Sequence, residues 1–372
     1  MSSPVQVHQV NQPAPIMSGP SASWKKALFA VPLAGMLYAF IMLKSQLYLP
    51  QVLRDQFLTW VDPKHTDWTL LVFSLAAIAS GSLVYMIISM ISPTLFNKVR
   101  APMFTTNTGR FASFLGSLFV GSGVALAGNS PGSLMTQLAV GCTSYHPFVG
   151  YLAGNMLAQV SKPFLRFLTS FRSEKQRANP FMDKQLKMNA SVFLLLNAAL
   201  FSSLAIAASY FLLKWNLYSG YHTFSLHSMI HHPFLSGLAY GLINLLLVPS
   251  VLTGISLHIP YTVTGQYILS MIPKLPVGIT TPQFSVNNHW QFLFLASVFG
   301  SSFLAKKFTP VAESCDIGSF RNDFIGALLA GFGSEFAAGD SGHMLTQMSK
   351  GANYETVLGV ALGGTLTSVF AM

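Results

Sequence analysis

The chain has 372 residues, of which 51% are hydrophobic and only 9% are charged, and its net charge is +10. Because a soluble domain usually carries about 25% charged residues, this composition excludes an ordinary soluble protein and predicts a polytopic membrane protein. Seven of the 21 Lys and Arg residues lie between Lys162 and Lys187. Such a cluster is typical of a loop that faces anionic lipid, and no nucleic-acid partner is predicted.

In chain order, residues 1–23 are rich in Pro, Ser and Gln and are predicted to be a disordered tail. The following apolar stretches approach the roughly 20 residues that cross a bilayer. Plain spans are predicted at 27–43, 69–91, 148–163, 191–213, 234–256, 290–305 and 355–371. Two longer stretches, 111–142 and 324–350, are interrupted by glycines and are predicted to be broken helices, and Tyr261–Ile272 is predicted to be re-entrant. The fold class is therefore all-α, with about nine transmembrane helices.

The two interrupted stretches carry the same motif. Residues 128–141 read G-N-S-P-G-S-L-M-T-Q-L-A-V-G, and residues 339–351 read G-D-S-G-H-M-L-T-Q-M-S-K-G. With one gap opposite Pro131, the paired residues are Gly128 with Gly339, Asn129 with Asp340, Ser130 with Ser341, Gly132 with Gly342, Thr136 with Thr346, Gln137 with Gln347 and Gly141 with Gly351. Glycine-broken segments at equivalent points of two halves indicate a transport site.

The pairing continues outside the motif and predicts the domain organisation. Further equivalent glycines are Gly116, Gly121, Gly123, Gly150 and Gly154 in the first half and Gly326, Gly331, Gly333, Gly359 and Gly363 in the second, and Leu37-Tyr38-Ala39 resembles Ala239-Tyr240-Gly241. The predicted units are a first repeat at 24–163, a basic cytoplasmic loop plus connector helix at 164–231, and a second repeat at 232–372.

A single connector between two four-span halves predicts inverted pseudo-symmetric repeats, whose broken helices meet at the membrane centre. The positive-inside rule then places the N-terminus in the cytoplasm. A parallel arrangement is the alternative. It needs an additional crossing at 261–272, and it would bring Lys306, Lys307 and Arg321 to the cytoplasmic side.

The motif predicts an anion site. Gly residues and Pro131 favour a break in each helix. The following half helices begin near Ser133 and His343, where free N–H groups and the positive end of the helix dipole point into the break. Additional donors would come from Ser130, Ser341, Thr136, Thr346, Gln137 and Gln347. The alternative is that these small and polar residues only pack and cross-link helices.

Ionisable residues mark the second break. Glu335, Asp340 and His343 lie at predicted membrane depth, where charges are costly and usually functional. They predict a proton relay or a cation site. The alternative is an internally paired cluster, for example Asp340 with His343 or Lys350, that only holds the broken helix.

Other chemistry is not indicated. Cys142 and Cys315 are too few for a disulfide framework and are expected to be packed thiols. Four histidines, His222, His227, His231 and His232, share one loop but lack a zinc-ligand spacing. The sequence shows no nucleophile–base pair or phosphate loop, so no enzyme activity, metal or cofactor is predicted.

The turn A-L-A-G-N-S-P-G-S-L at 125–134 and the turn A-A-G-D-S-G-H at 337–343 resemble those of the YeeE/YedE family of sulfur-compound transporters. The resemblance implies uptake of thiosulfate or a related ion through a narrow hourglass, with membrane-embedded cysteines that pass the substrate along. This chain departs from that pattern because Ser130 replaces the cysteine of the first turn and Asp340 or Ser341 that of the second. Cys142 is a possible pathway thiol.

The leading functional hypothesis is a multi-pass permease in the lipid bilayer for a small inorganic anion, with thiosulfate first among the candidates. The predicted pathway combines the paired motif residues from Gly128 to Gln137 and from Gly339 to Gln347. The alternatives are a proton- or cation-coupled carrier that uses Glu335, Asp340 and His343, and a non-transporting membrane scaffold.

Overall fold

The computed structural model describes residues 24–60, 62, 66–100, 110–161, 181–212, 232–272, 282, 285–307, 315, 318–337 and 339–371. The predicted tail at 1–23, most of the basic loop, and three of the four clustered histidines (His222, His227 and His231) lie outside these residues.

The described chain forms sixteen α-helices, and no strand element is found among the described residues. Their bounds are α1 Trp24–Lys44, α2 Pro50–Asp55, α3 Thr69–Ile91, α4 Pro93–Arg100, α5 Arg110–Ala127, α6 Pro131–Val140, α7 His146–Ser161, α8 Met182–Gln185, α9 Ala190–Phe211, α10 Pro233–Leu242, α11 Asn244–Val251, α12 Ile259–Ser270, α13 Val286–Ala305, α14 Phe320–Phe336, α15 Ser341–Ser349 and α16 Glu355–Ala371. A 3₁₀ turn at Gln56–Trp60 follows α2.

The all-α fold class is confirmed for the described residues. Five helical stretches are long and apolar enough to cross a membrane: Trp24–Lys44, Thr69–Ile91, Phe111–Val140, Ala190–Phe211 and Pro233–Val251. The outer surface is apolar as well, and the connector helix α9 exposes large side chains such as Leu195, Leu196 and Leu200. An apolar exterior of this kind suits contact with lipid rather than water. The count of nine crossings stays a prediction.

Helices α5 and α14 form the centre of a tightly packed group of four helices. They run antiparallel, because Gly116 lies on the backbone of Gly333 and Gly123 lies on the backbone of Gly326. A Cβ at any of these four positions would collide with the facing helix. The glycines therefore let the two backbones touch, as small residues do between membrane helices.

The remaining two helices of this group pack reciprocally. On one side, Gly150 and Gly154 of α7 lie on the carbonyls of Phe324 and Leu328 in α14. On the other side, Gly359 and Gly363 of α16 lie on the carbonyls of Phe114 and Leu118 in α5. The equivalent glycines Gly116 and Gly326 are separated by the same number of residues as Phe114 and Phe324. The same separation applies to Leu118 and Leu328. The contact of α7 with α14 is thus repeated, at equivalent positions, by the contact of α16 with α5.

A second pair of contacts repeats in the same way. Gly35 of α1 lies against Phe294 and Ser297 of α13, and Gly237 of α10 lies against Phe73 and Ala76 of α3. The ring of Tyr38 meets the edge of Phe294 at 5.5 Å between centroids, and Tyr240 meets Phe73 at 5.3 Å. Tyr38 and Tyr240 also contact each other, with centroids 5.8 Å apart.

At one end of the helices, a buried ion pair fastens the end of the basic loop. The Arg100 guanidinium donates to both Asp183 carboxylate oxygens at 3.1 and 2.5 Å and stacks 3.6 Å from the Phe181 ring centroid. The neighbouring Met182 N–H donates to Gly351 O at 2.9 Å, directly after α15. The chain before α9 is therefore attached to the C-terminal end of the second half helix.

Candidate functional site

The first break is closed by local hydrogen bonds. Gly128 adopts a left-handed φ of 62°, which ends α5, and Ser130 caps α6 by accepting from the Ser133 N–H. The freed carbonyls also find partners: Gln137 Nε2 donates to Gly128 O at 2.9 Å, and Tyr151 Oη donates to Asn129 O at 2.9 Å. The predicted broken helix is present, and its backbone is stabilised by these two side chains.

The second break is built differently because an aspartate caps it. Asp340 Oδ1 accepts from the His343 N–H at 3.2 Å and from the Leu257 N–H at 3.3 Å. Leu257 belongs to a non-helical segment, residues 254–257, between α11 and α12. The carboxylate thus caps α15 and holds this segment against the break at the same time.

Both breaks open into one cavity of about 360 Å³. Its wall includes Ser130 and Gly132 from the first break and Asp340, Ser341 and Gly342 from the second. Gln56, Asp67 and Trp68 also line it, so the cavity extends towards the connection between α2 and α3. The structure therefore brings the N-terminal ends of α6 and α15 to a common space.

Two tyrosines that the sequence did not single out as site residues complete this space. Tyr38 and Tyr240 line the cavity, and their hydroxyls lie next to Gly132 and Gly342 respectively. The similarity of Leu37-Tyr38-Ala39 to Ala239-Tyr240-Gly241 was the signal that could have identified them. In the sequence alone, that similarity indicates only the duplication.

The paired Thr and Gln residues lie elsewhere. Thr136 contacts Ser302 Oγ at 3.3 Å, and Thr346 Oγ1 donates to Ile255 O at 3.2 Å. Gln137 bonds the first break, and Gln347 Oε1 accepts from Asn353 Nδ2. All four side chains are buried and hold helices or turns together. Their membership of a pathway stays a prediction.

The ionisable residues of the second break have a partner that the sequence did not indicate. His258 Nδ1 lies 3.7 Å from Asp340 Oδ1, and the rings of His258 and His343 are 5.7 Å apart. Glu335 accepts a short hydrogen bond from Thr262 Oγ1. Lys350 instead donates to Val99 O at 3.4 Å and lies over the Tyr85 ring. The cluster therefore joins α14 and α15 to the segment around α12.

The expectation of two packed thiols is wrong, because Cys142 and Cys315 form a disulfide with their Cα atoms 5.2 Å apart. A disulfide has no S–H to donate, so Cys142 can serve as a pathway thiol only if this bond is reduced. Close by, Lys306 Nζ donates to Val140 O at 2.6 Å. Both contacts fasten the C-terminal end of α6.

Of the clustered histidines, His232 is within the described residues, and its Nδ1 accepts from the Phe234 N–H at the start of α10. No group of three His, Cys, Asp or Glu side chains that could hold a metal occurs among the residues that the structure describes.

Comparison with known protein families identifies the family of this chain. A family model described as sulphur transport matches residues 44–367, which is most of the chain and includes both broken helices. No curated protein matches the chain at a significant level. The long apolar helices and the lipid-suited exterior agree with a membrane setting. The chain therefore belongs to the sulphur transport family, YeeE/YedE, and is an integral membrane protein from a family of sulfur-compound transporters.

Proposed function

We propose that this chain is a permease for a small sulfur-containing anion, thiosulfate being the first candidate, and that the anion passes between the N-terminal ends of α6 and α15. The shared cavity is the observation that supports the proposal. Ser130 and Gly132 line it from the first break, and Ser341 and Gly342 line it from the second. Free N–H groups and the helix dipole favour an anion at such ends.

Inverted repeats are part of the proposal. Helices α5 and α14 are equivalent by the duplicated glycines, and they pack antiparallel. If both cross the membrane, equivalent helices that run in opposite directions imply opposite topologies for the two halves. The exchanged contacts of α7 and α16 support the same relation. A parallel arrangement would require α5 and α14 to run in the same direction.

The proposed orientation places the end with Arg100 and Asp183 in the cytoplasm, together with the basic stretch. The disulfide lies at the opposite end of α7, because Cys142 precedes that helix and the basic stretch follows it. Disulfides persist in oxidising compartments, so a non-cytoplasmic position for Cys142 agrees with this orientation. Lys306, Lys307 and Arg321 then lie on the non-cytoplasmic side.

The two breaks would contribute unequally to anion binding. Ser130 is a neutral cap, so the α6 terminus keeps its positive end towards the cavity. Asp340 places a carboxylate at the α15 terminus, and its Oδ2 is buried without a hydrogen-bond partner among the described residues. Ser341 still offers a hydroxyl to the cavity from this side. We therefore assign the stronger anion-binding contribution to the first break.

A second candidate function is a proton- or cation-coupled carrier, which the Asp340–His258 pair favours. A carboxylate 3.7 Å from one histidine, whose ring is 5.7 Å from that of a second histidine, suits a coupling site. Coupling and anion passage are compatible, but simple anion passage does not need the carboxylate.

Uptake by Asp340→Asn separates the two candidates. Asparagine keeps an oxygen that can cap α15 but removes the negative charge. Simple anion passage predicts thiosulfate uptake into proteoliposomes at or above the wild-type rate, with an unchanged pH profile. A coupled carrier predicts a loss of about tenfold or more and the disappearance of pH-driven uptake. The matched comparison is Asn129→Asp at the equivalent position of the first break. It adds a negative charge there and should slow anion uptake whether or not transport is coupled.

A further inference from the structure

We propose that Tyr38 and Tyr240 are substrate-binding residues whose hydroxyls donate hydrogen bonds to the oxygens of the transported oxyanion. This inference rests on the proposed function and specifies donors in addition to Ser130 and Ser341.

Both hydroxyls are available to a molecule in the cavity. Tyr38 and Tyr240 line it, and neither hydroxyl makes a hydrogen bond to a protein group among the described residues. A hydroxyl on the wall of a cavity bonds to whatever occupies that cavity, either water or a ligand. An oxyanion can therefore take the place of water on both phenols.

Each hydroxyl lies beside the N-terminus of a half helix. Gly132 and Gly342 are the second residues of α6 and α15, and their N–H groups are among those left without an intrahelical partner. A Cβ at Gly342 would lie 2.9 Å from Tyr240 Oη, and one at Gly132 would collide with Tyr38 Oη. Each terminus thus offers a phenol donor and a backbone donor side by side.

The two tyrosines are held as a pair. Each ring makes a T-shaped contact with a phenylalanine of the neighbouring helix, Tyr38 with Phe294 and Tyr240 with Phe73. The two rings contact each other across the halves. Donors that approach from both sides suit a small anion with acceptor oxygens on all sides. Because hydroxyls bond oxygen readily, recognition would fall on the sulfonate or sulfate oxygens rather than on a soft sulfur atom.

The test compares Tyr38→Phe, Tyr240→Phe and the double variant with wild type. Phenylalanine keeps the ring contacts and removes the hydroxyl alone. Tyr85→Phe is the matched control, because the Tyr85 hydroxyl likewise has no hydrogen-bond partner among the described residues, but Tyr85 does not line the cavity. We expect the KM for labelled thiosulfate in proteoliposomes to rise about five- to tenfold in each single variant and more in the double variant. Tyr85→Phe should match wild type.

Binding is measured in parallel as the rise in melting temperature that thiosulfate causes in detergent-solubilised protein. A loss of this rise in both Tyr38→Phe and Tyr240→Phe, with unchanged melting temperatures of the free proteins, supports the inference even if transport is slow. KM values and melting-temperature rises within about twofold of wild type in both variants would overturn it and leave the proposed function standing. If wild-type protein neither binds nor transports thiosulfate, sulfate or sulfite, the proposed function fails and this inference fails with it.

Discussion

Replacing Gly132 with valine is expected to reduce anion uptake at least about tenfold while the protein still folds. A Cβ at this position would collide with Tyr38 Oη and lie 2.8 Å from Leu257 Cδ1. Both atoms are ends of side chains, so they can move, but they would move within the space where the two half helices meet. Overfilling a packed site costs about 1–3 kcal/mol, which a protein of this size should tolerate.

Uptake of labelled thiosulfate into proteoliposomes measures the effect, and size-exclusion chromatography checks that the variant is folded. Gly300→Val is the matched control, because a Cβ at Gly300 of α13 would meet nothing within 4 Å. It should transport as wild type does. Wild-type uptake by folded Gly132→Val protein would show that the substrate does not pass between α6 and α15.

Asp183→Leu is expected to give the largest loss of stability, about 3–5 kcal/mol. The side chains of Arg100 and Asp183 are both buried, at 7% and 5% exposure, and they form a two-point hydrogen-bonded pair. Removing the carboxylate leaves the guanidinium buried between Phe96 and Phe181 without its partner. Such an uncompensated charge is more costly than the absence of the whole pair.

The double variant Arg100→Met, Asp183→Leu serves as the control for this mechanism. It removes both charges and should recover most of the lost stability, as measured by unfolding of the detergent-solubilised protein. Uptake reports a second effect, since Met182 is bonded to Gly351 at the end of α15. Asp183→Leu protein as stable as wild type would show that the pair does not stabilise the attachment of the segment before α9.

Signals from neighbouring residues in the sequence were sufficient to predict the positions of most of the helices. The break before α6 was predictable because Gly128 and Pro131 interrupt an apolar run, and Gly128 does adopt the left-handed conformation that only glycine takes readily. The apolar stretch predicted as re-entrant became α12, Ile259–Ser270. Each of these features depends on residues that are neighbours in the chain.

The missed features depend on contacts between distant segments. His258 pairs with Asp340 because the non-helical segment before α12 contacts the second break, and no spacing in the sequence indicates that contact. The disulfide joins cysteines 173 residues apart. Equivalent positions in the two halves also do not reveal what a side chain does. Gln137 donates a hydrogen bond to the Gly128 carbonyl at the first break, and the repeated T-Q pair alone does not indicate that contact.

The asymmetry of the two breaks was visible as Asn129 opposite Asp340, but its consequence was not. The structure shows that the Asp340 carboxylate caps α15 and also binds the Leu257 N–H. In the first break, Ser130 and Ser133 cap each other, so the cap of α6 is made by neutral side chains. One duplicated motif has therefore given one neutral cap and one charged cap around a single cavity.

The most direct test of anion passage between the broken helices is uptake of labelled thiosulfate, sulfate and sulfite into proteoliposomes that contain wild-type or Ser130→Cys protein. Ser130 lines the cavity at the neutral terminus. A thiol there places a soft donor at the proposed constriction, as in the turns that this chain resembles. We predict protein-dependent uptake of sulfur oxyanions by wild type and a shift towards thiosulfate over sulfate in Ser130→Cys. No protein-dependent uptake of any of the three anions, or identical anion preference in the two proteins, would contradict this account.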